Sequence, residues 1–183
     1  YPGFYAAMGA LSKHPNLVAV SPQAPVMDWF AGDDFHHNGA LFLPHAFDFF
    51  SSFGKPRTSL TTERPASFKY GTDDGYHFYR QLGALENANK VYLNYDIGFW
   101  NDLMAHPDYD AFWQERNALQ HFKGIKAATL VVGGFYDAEN LYGALNLYKT
   151  IEKNNPKGEN YLVMGPWSHG QWARNDGQKL GPI

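Results

Sequence analysis

Two residues that could work as an acid–base pair, Asp137 and His169, occupy matching places in the chain. Each follows an apolar run and a short turn rich in glycine and aromatic residues, over 130–137 and 161–169. In a Ser–His–Asp triad the aspartate orients an imidazole, and the imidazole takes a proton from a serine hydroxyl. We therefore interpret Asp137 and His169 as catalytic. The open alternative is that each is an ordinary polar residue of a turn.

The start of the chain indicates where the nucleophile would lie. Tyr1-Pro2-Gly3 fits the second half of a nucleophile elbow, the tight strand-to-helix turn that presents a serine, if a serine preceded Tyr1. The backbone N–H of Tyr1 would then be an oxyanion donor. The serines present fit less well because of their positions, among them Ser12, Ser51, Ser52 and Ser168. We therefore expect the chain to be a fragment that starts just after its nucleophile.

The apolar pattern predicts an α/β fold with a parallel sheet to position these residues. Short apolar runs at 17–20, 128–132 and 161–164 are typical of buried strands, and helices are predicted over 4–13 and 139–153. Reactive groups collect at the carboxyl ends of parallel strands. Adjacent strands lie about 4.8 Å apart, so Asp137 and His169 are expected within hydrogen-bonding reach.

The composition changes in the middle of the chain. Valine becomes scarce and aromatic residues dominate, with helix-like periods over 76–85 and 109–121. We predict a mostly helical insertion that covers the site. The predicted organisation is core at 1–25, insertion at 26–122, core at 123–173 and a linker at 174–183.

Composition excludes several function classes. The net charge is -3 and no cluster of Lys or Arg occurs, so nucleic acid is not an expected partner. Cysteine is absent, which excludes thiol chemistry and disulfides. No apolar run approaches the roughly 20 residues that span a membrane. The expected partners are a small acyl substrate and the rest of the parent chain, and a homo-oligomer is an open alternative.

Several longer motifs carry a family resemblance. They are Tyr1-Pro2-Gly3-Phe4-Tyr5, Ser21-Pro22-Gln23-Ala24-Pro25, Asp28-Trp29, residues 32–39, residues 106–113, Gly133-Gly134-Phe135-Tyr136-Asp137 and Gly165-Pro166-Trp167-Ser168-His169-Gly170. Together they resemble the X-prolyl dipeptidyl peptidase/cocaine esterase superfamily of serine hydrolases. The nearest branch by resemblance is the α-amino-acid ester hydrolases and the related glutaryl-cephalosporanate acylases.

The resemblance implies an α/β-hydrolase fold with an inserted helical cap, followed by a jelly-roll domain. The family's triad aspartate maps to Asp137 and its histidine to His169, which lie 169 − 137 = 32 residues apart. Its serine maps to the position before Tyr1. The implied reaction is hydrolysis of ester or amide bonds without a cofactor, on α-amino-acid esters or β-lactam side chains. A periplasmic or secreted location is also implied.

Substrate-binding residues are expected among acidic and aromatic side chains. The resemblance implies a carboxylate for the substrate's ammonium group, for which Asp110 is the candidate, although Asp110 could instead cap a helix. Trp29, Phe35 and Tyr136 are candidates for the wall of an acyl pocket or for the core.

Two alternatives to this function and one metal hypothesis remain to be weighed. Asp33-Asp34-x-His36-His37 suggests a metal site, but adjacent histidines point apart, and we expect no metal there. Within the superfamily, the alternative is an X-prolyl dipeptidyl peptidase-like peptidase. The alternative from another class of function is a non-catalytic, aromatic-rich module that binds a ligand.

Overall fold

The structure is a computed structural model that describes residues 1–63 and 65–174. Two compact units are present. Residues 1–40 and 109–174 form the first unit, and the second unit lies within 41–108. The predicted linker at 174–183 lies outside the described residues except for Arg174.

A three-stranded parallel sheet is the centre of the first unit, as predicted. Its strands are β1 (Ala19–Val20), β4 (Ala128–Gly134) and β5 (Asn160–Gly165), in the order β1-β4-β5. Thr129 pairs with Asn160 and Gly134 with Gly165, so β4 and β5 end side by side. The predicted strand at 17–20 is shorter than expected, because only Ala19 and Val20 pair with β4.

Helices α1 (Pro2–Ala10) and α6 (Leu141–Asn154) pack on one face of this sheet. Their small and branched side chains form its core with Val131 of β4: Ala7, Ala10, Ala144, Leu147 and Ile151. Helix α1 begins before the predicted residue 4 because Pro2 fits the first turn of a helix. It ends at Ala10, before the predicted residue 13.

Helix α6 begins two residues later than predicted. One carboxylate oxygen of Asp137 accepts hydrogen bonds from the backbone N–H groups of Glu139 and Asn140, at 2.9 and 3.0 Å. This turn occupies the residues that the sequence pattern assigned to the start of the helix. The helix therefore starts only after Asn140.

Several short elements lie outside this sheet. They are the paired strands β2 (His36–His37) and β3 (Ala40–Leu41), helix α5 (Ala111–Arg116), and 3₁₀ turns at Ala118–His121 and Gln171–Ala173. The predicted helix over 109–121 is thus two short elements separated by Asn117. Leu41 is the first residue of the second unit.

The second unit is helical, as its composition predicts. It contains α2 (Leu43–Ser52), α3 (Gly75–Leu82), a π-helical segment (Ala88–Leu93) and α4 (Gly98–Ala105). Phe47 is fully buried, and its ring contacts those of Phe68, Phe78, Tyr92 and Trp100. Many aromatic residues of this stretch therefore form a core. Within the described residues, no helix is long and apolar enough to cross a membrane.

The second unit is narrower than the predicted insertion at 26–122, because 26–40 and 109–122 pack in the first unit. The limits of the insertion stay a prediction.

Candidate active site

The turns after β4 and β5 lie directly against each other. The N–H of Phe135 donates to Gly165 O at 2.8 Å, and the N–H of Tyr136 donates to Trp167 O at 3.0 Å. A side chain at Gly134 would overlap Trp167 O, so only glycine allows this approach. The contact brings the two predicted catalytic residues together: His169 Nδ1 lies 3.0 Å from Asp137 Oδ2.

Asp137 is held rigidly as a carboxylate. Its side chain is fully buried, Oδ2 faces His169 and Oδ1 accepts the two backbone hydrogen bonds of its own turn. Burial raises the pKa of Asp137, but the hydrogen bonds from His169, Asn140 and Glu139 outweigh it, so the pKa lies below its usual value. The group therefore stays ionised at neutral pH.

His169 is the partly exposed member of this pair, with 42% of its side chain accessible. The hydrogen bond to Asp137 occupies Nδ1, so Nε2 is the ring nitrogen that can exchange a proton with a substrate. That hydrogen bond raises the pKa of His169 against the opposing effect of burial, and the charges of Asp137, Glu139 and Asp34 raise the pKa further. A histidine with this environment suits general-base chemistry.

Two further carboxylates lie near His169, and the sequence did not single them out as binding residues. Glu139 Oε2 is 3.7 Å from His169 Nδ1. Asp34 accepts hydrogen bonds from Trp29 Nε1 at 2.9 Å and from Asn140 Nδ2 at 3.0 Å. A weak signal existed for Glu139, because it follows Asp137 by two residues and shares its turn. Asp34 belongs to the segment 33–37 that suggested a metal site, but the sequence did not connect it with His169, because only the fold brings the two residues within electrostatic range.

Tyr1 lies within electrostatic range of Asp34. It is the N-cap residue of α1, and its carbonyl accepts the N–H of Tyr5 at 2.9 Å. Burial, the charge of Asp34 and Tyr5 raise the pKa of the Tyr1 phenol to about 12. Asp34 thus acts electrostatically on both Tyr1 and His169. The role of the Tyr1 N–H as an oxyanion donor stays a prediction.

Comparison with known proteins gives the family. Residues 1–171 match the model of the X-Pro dipeptidyl-peptidase (S15) family. The chain belongs to this family. The superfamily that the sequence motifs resemble is thereby confirmed.

Three relatives illustrate the similarity. The chain is 29% identical over 194 residues to a cocaine esterase of Rhodococcus sp. (strain MB1 Bresler), covering 99% of this chain and 32% of that protein. It superposes on an α-amino acid ester hydrolase with a TM-score of 0.86 and 31% identity, covering 99% of this chain and 29% of the other. It also superposes on an aminopeptidase from Thaumarchaeota archaeon with a TM-score of 0.82 and 33% identity, covering 99% of this chain and 29% of the aminopeptidase.

These matches confirm the α/β fold with its parallel sheet as that of an α/β-hydrolase-type enzyme family. The chain spans about a third of the length of the relatives it matches.

The other predicted binding residues of this S15 family member have different surroundings. Asp110 is the N-cap of α5, where its side chain accepts the N–H of Phe112 at 3.0 Å. Phe35 is only 5% exposed and belongs to the core. Tyr136 is 64% exposed and lines an open cavity of ≈ 560 Å³ whose wall includes the turn 135–138 and residues of α6. Trp29 lines a different, smaller cavity. Substrate binding by all four stays a prediction.

In the acidic and histidine-rich segment 33–37, the side chains of Asp33 and His36 contact backbone groups of the first unit. Asp33 is fully buried and accepts three backbone N–H groups, from Met27, Asp28 and Gly143, at 2.8, 2.9 and 2.8 Å. Burial raises the pKa of Asp33 to about 7, against these hydrogen bonds. His36 Nδ1 lies 3.0 Å from Trp29 O, and His37 points outward. Among the residues that the structure describes, no group of three or more His, Asp or Glu could hold a metal ion.

Proposed function

We propose that the parent protein is a serine hydrolase that cleaves small acyl esters or amides through an acyl-enzyme. The observation that carries the proposal is the 3.0 Å hydrogen bond between the buried Asp137 carboxylate and His169 Nδ1. It fixes the imidazole so that Nε2 can accept a proton, which is the task of the histidine in a Ser–His–Asp triad.

The nucleophile in this proposal is a serine immediately before Tyr1. Its oxygen attacks the substrate carbonyl carbon while His169 Nε2 takes the hydroxyl proton. His169 then passes this proton to the leaving oxygen or nitrogen as the bond to the acyl carbon breaks. Water repeats the sequence on the acyl-enzyme and releases the acid. In this proposal the backbone N–H of Tyr1, the N-cap residue of α1, stabilises the oxyanion.

The proposed substrates are α-amino acyl esters or β-lactam compounds with an α-amino acyl side chain. The support comes from Asp34 and Glu139, whose negative charges act on the same imidazole that must meet the substrate. Carboxylates in that position favour a cationic ammonium group beside the scissile carbonyl. The structural similarity to an α-amino acid ester hydrolase points the same way. Asp110 is a weaker candidate because its carboxylate caps α5.

An X-prolyl dipeptidyl peptidase-like activity is the second candidate. The matching family carries that description, and a peptide with a free N-terminal ammonium group would also suit Asp34 and Glu139. A comparison of an amino-acid methyl ester with an X-Pro anilide distinguishes the two. A purely non-catalytic binding module is disfavoured, because binding alone gives no reason for a buried Asp–His pair.

Labelling with a fluorophosphonate tests the proposed chemistry. In the full-length protein we expect one adduct by intact mass, on the residue before Tyr1. His169→Ala and Asp137→Asn should slow labelling by at least about 100-fold, because they remove the base or its orientation. The control is His77→Ala, at an exposed histidine of the second unit. Labelling that is equally fast in His169→Ala would disprove the proposal.

A further inference from the structure

A small apolar pocket of the first unit has no role in the proposed chemistry. It lies beside the first two turns of α1 and has a volume of ≈ 180 Å³. Apolar side chains form most of its wall: Phe4, Met8, Val26, Met27, Trp29 and Ala118. Neither Asp137 nor His169 lines this pocket. We call it the Trp29 pocket.

The wall of the Trp29 pocket connects it to the candidate active site. The indole of Trp29 stacks on Phe4, with ring centroids 6.4 Å apart and an angle of 26°. Its Nε1 donates to Asp34, which in turn acts on the charge of His169. A ligand in the pocket would therefore contact the residue that orients Asp34.

The size of the pocket selects the ligand. An apolar cavity of about 150 Å³ holds one benzene ring, so a volume of ≈ 180 Å³ is closer to the requirement of one six-membered ring than to that of two fused rings. The aromatic faces of Phe4 and Trp29 and the thioethers of Met8 and Met27 are favourable contacts for an aromatic ring.

The polar rim does not favour a charged ligand. Glu115 and Arg116 carry opposite charges there, and His121 is the third polar residue of the wall. The guanidinium of Arg116 lies 3.5 Å above the Phe112 ring and donates to Phe112 O at 2.8 Å. We propose that the Trp29 pocket binds a single uncharged aromatic ring, of the benzyl alcohol or phenol class, at a site separate from the Asp137–His169 pair. The proposal does not depend on hydrolytic activity.

Methionine NMR provides a direct readout. Of the four methionines in this chain, Met8 and Met27 line the pocket, Met164 lies on β5 and Met104 in the second unit. The full-length protein is labelled at its methionine methyl groups, assigned by Met→Leu variants, and titrated with 4-fluorobenzyl alcohol. We expect saturable shifts of the Met8 and Met27 methyls, with Met104 and Met164 unchanged.

Substitutions on α1 then test the size argument. Met8→Trp should fill the pocket and weaken binding at least about tenfold, and Met8→Ala should admit 2-naphthylmethanol with about tenfold higher affinity than the wild type. Gly9→Ala, at the next residue, meets no atom within 4 Å and should change neither affinity. If Met8→Trp does not fold, Val26→Phe fills the same pocket.

Three results would overturn the proposal. They are an absence of shifts at Met8 and Met27, equal affinity of the wild type for the one-ring and two-ring alcohols, and equal binding by Gly9→Ala and the pocket-filling variant.

Discussion

At the scale of single residues, the groups around His169 make it suited to act as a base. Its pKa is raised by the hydrogen bond to Asp137 and by nearby negative charge. The neutral imidazole is the form that accepts a proton, so kcat/KM should fall as the pH drops through this raised pKa. The acid limb of the pH profile is therefore expected above 6.5, the ordinary value for histidine.

Replacing Asp137 tests this assignment. Asp137→Asn removes the largest cause of the raised pKa of His169. The acid limb should move to lower pH, while kcat falls by about 10⁴-fold, as for the equivalent change in other enzymes with this triad. The measurement is the pH dependence of kcat/KM with an activated ester. An unmoved acid limb would show that Asp137 does not set the charge of His169.

The carboxylates near His169 lead to a prediction about specificity. Glu139→Gln removes one negative charge 3.7 Å from the imidazole. KM for phenylglycine methyl ester should rise about fivefold, the effect of one partly exposed charge pair. KM for phenylacetate methyl ester, which lacks the ammonium group, should stay the same.

Glu159→Gln, at an exposed site before β5, is the control for this change and should leave both KM values unchanged. An equal change of KM for the two esters in Glu139→Gln would contradict an ammonium-binding role.

The sequence alone could identify the site residues that belong to a local motif. Asp137 and His169 each follow an apolar strand, and the pairing of β4 with β5 is enough to bring them together. Asp34 could not be found in this way, because it is joined to Asn140 across 106 residues. Its φ of 54° also points its side chain differently from that of its buried neighbour Asp33.

At the scale of elements, the position of α6 depends on a close backbone contact. Asp33 Oδ1 accepts the N–H of Gly143 in the first turn of the helix, and Asp33 Oδ2 accepts the N–H groups of Met27 and Asp28. A side chain at Gly143 would overlap Pro25 O and crowd the Asp33 carboxylate. The helix that follows Asp137 is thereby fixed against the segment that carries Asp34.

Substitutions of two helical glycines by alanine separate the effect of this contact on stability from the effect of helix propensity. Gly143→Ala should lower the free energy of unfolding by about 3 kcal/mol or more, because the contact with backbone atoms must open. Gly9→Ala, which has open space in α1, should raise it by about 0.5–1 kcal/mol. Urea unfolding of the full-length protein measures both. A stabilising Gly143→Ala would show that α6 is not held by this contact.

The apolar periodicity of the sequence predicted which strands and helices form more accurately than it predicted their first and last residues. Strands β4 and β5 follow the predicted apolar runs within two residues at each end. Helix α6 begins later than its pattern indicates, because the N–H groups of Glu139 and Asn140 donate to the Asp137 side chain and form a turn before the helix. The aromatic residues around Phe47 gave no indication of whether they line a pocket or form a core, since both uses need apolar rings.

At the scale of the molecule, the two faces of the parallel sheet differ. Val131, Leu162 and Met164 face α1 and α6. Leu130, Tyr161 and Val163 alternate with them and are 39%, 58% and 41% exposed. Parallel sheets are usually covered on both faces, and a contiguous exposed apolar surface promotes association. We therefore expect the isolated 183-residue chain to self-associate through this face.

Charge placed on the exposed face tests that expectation. Sedimentation velocity of the isolated chain over a range of concentrations should show association, and the double variant Tyr161→Lys/Val163→Lys should shift the distribution toward monomer. The matched control is Tyr76→Lys/Val91→Lys, at a tyrosine and a valine of the second unit that are 77% and 64% exposed. Both double variants add the same charge, so general repulsion affects them alike. Only the sheet variant should be monomeric if this face is the contact, and equal behaviour of the two would place the contact elsewhere.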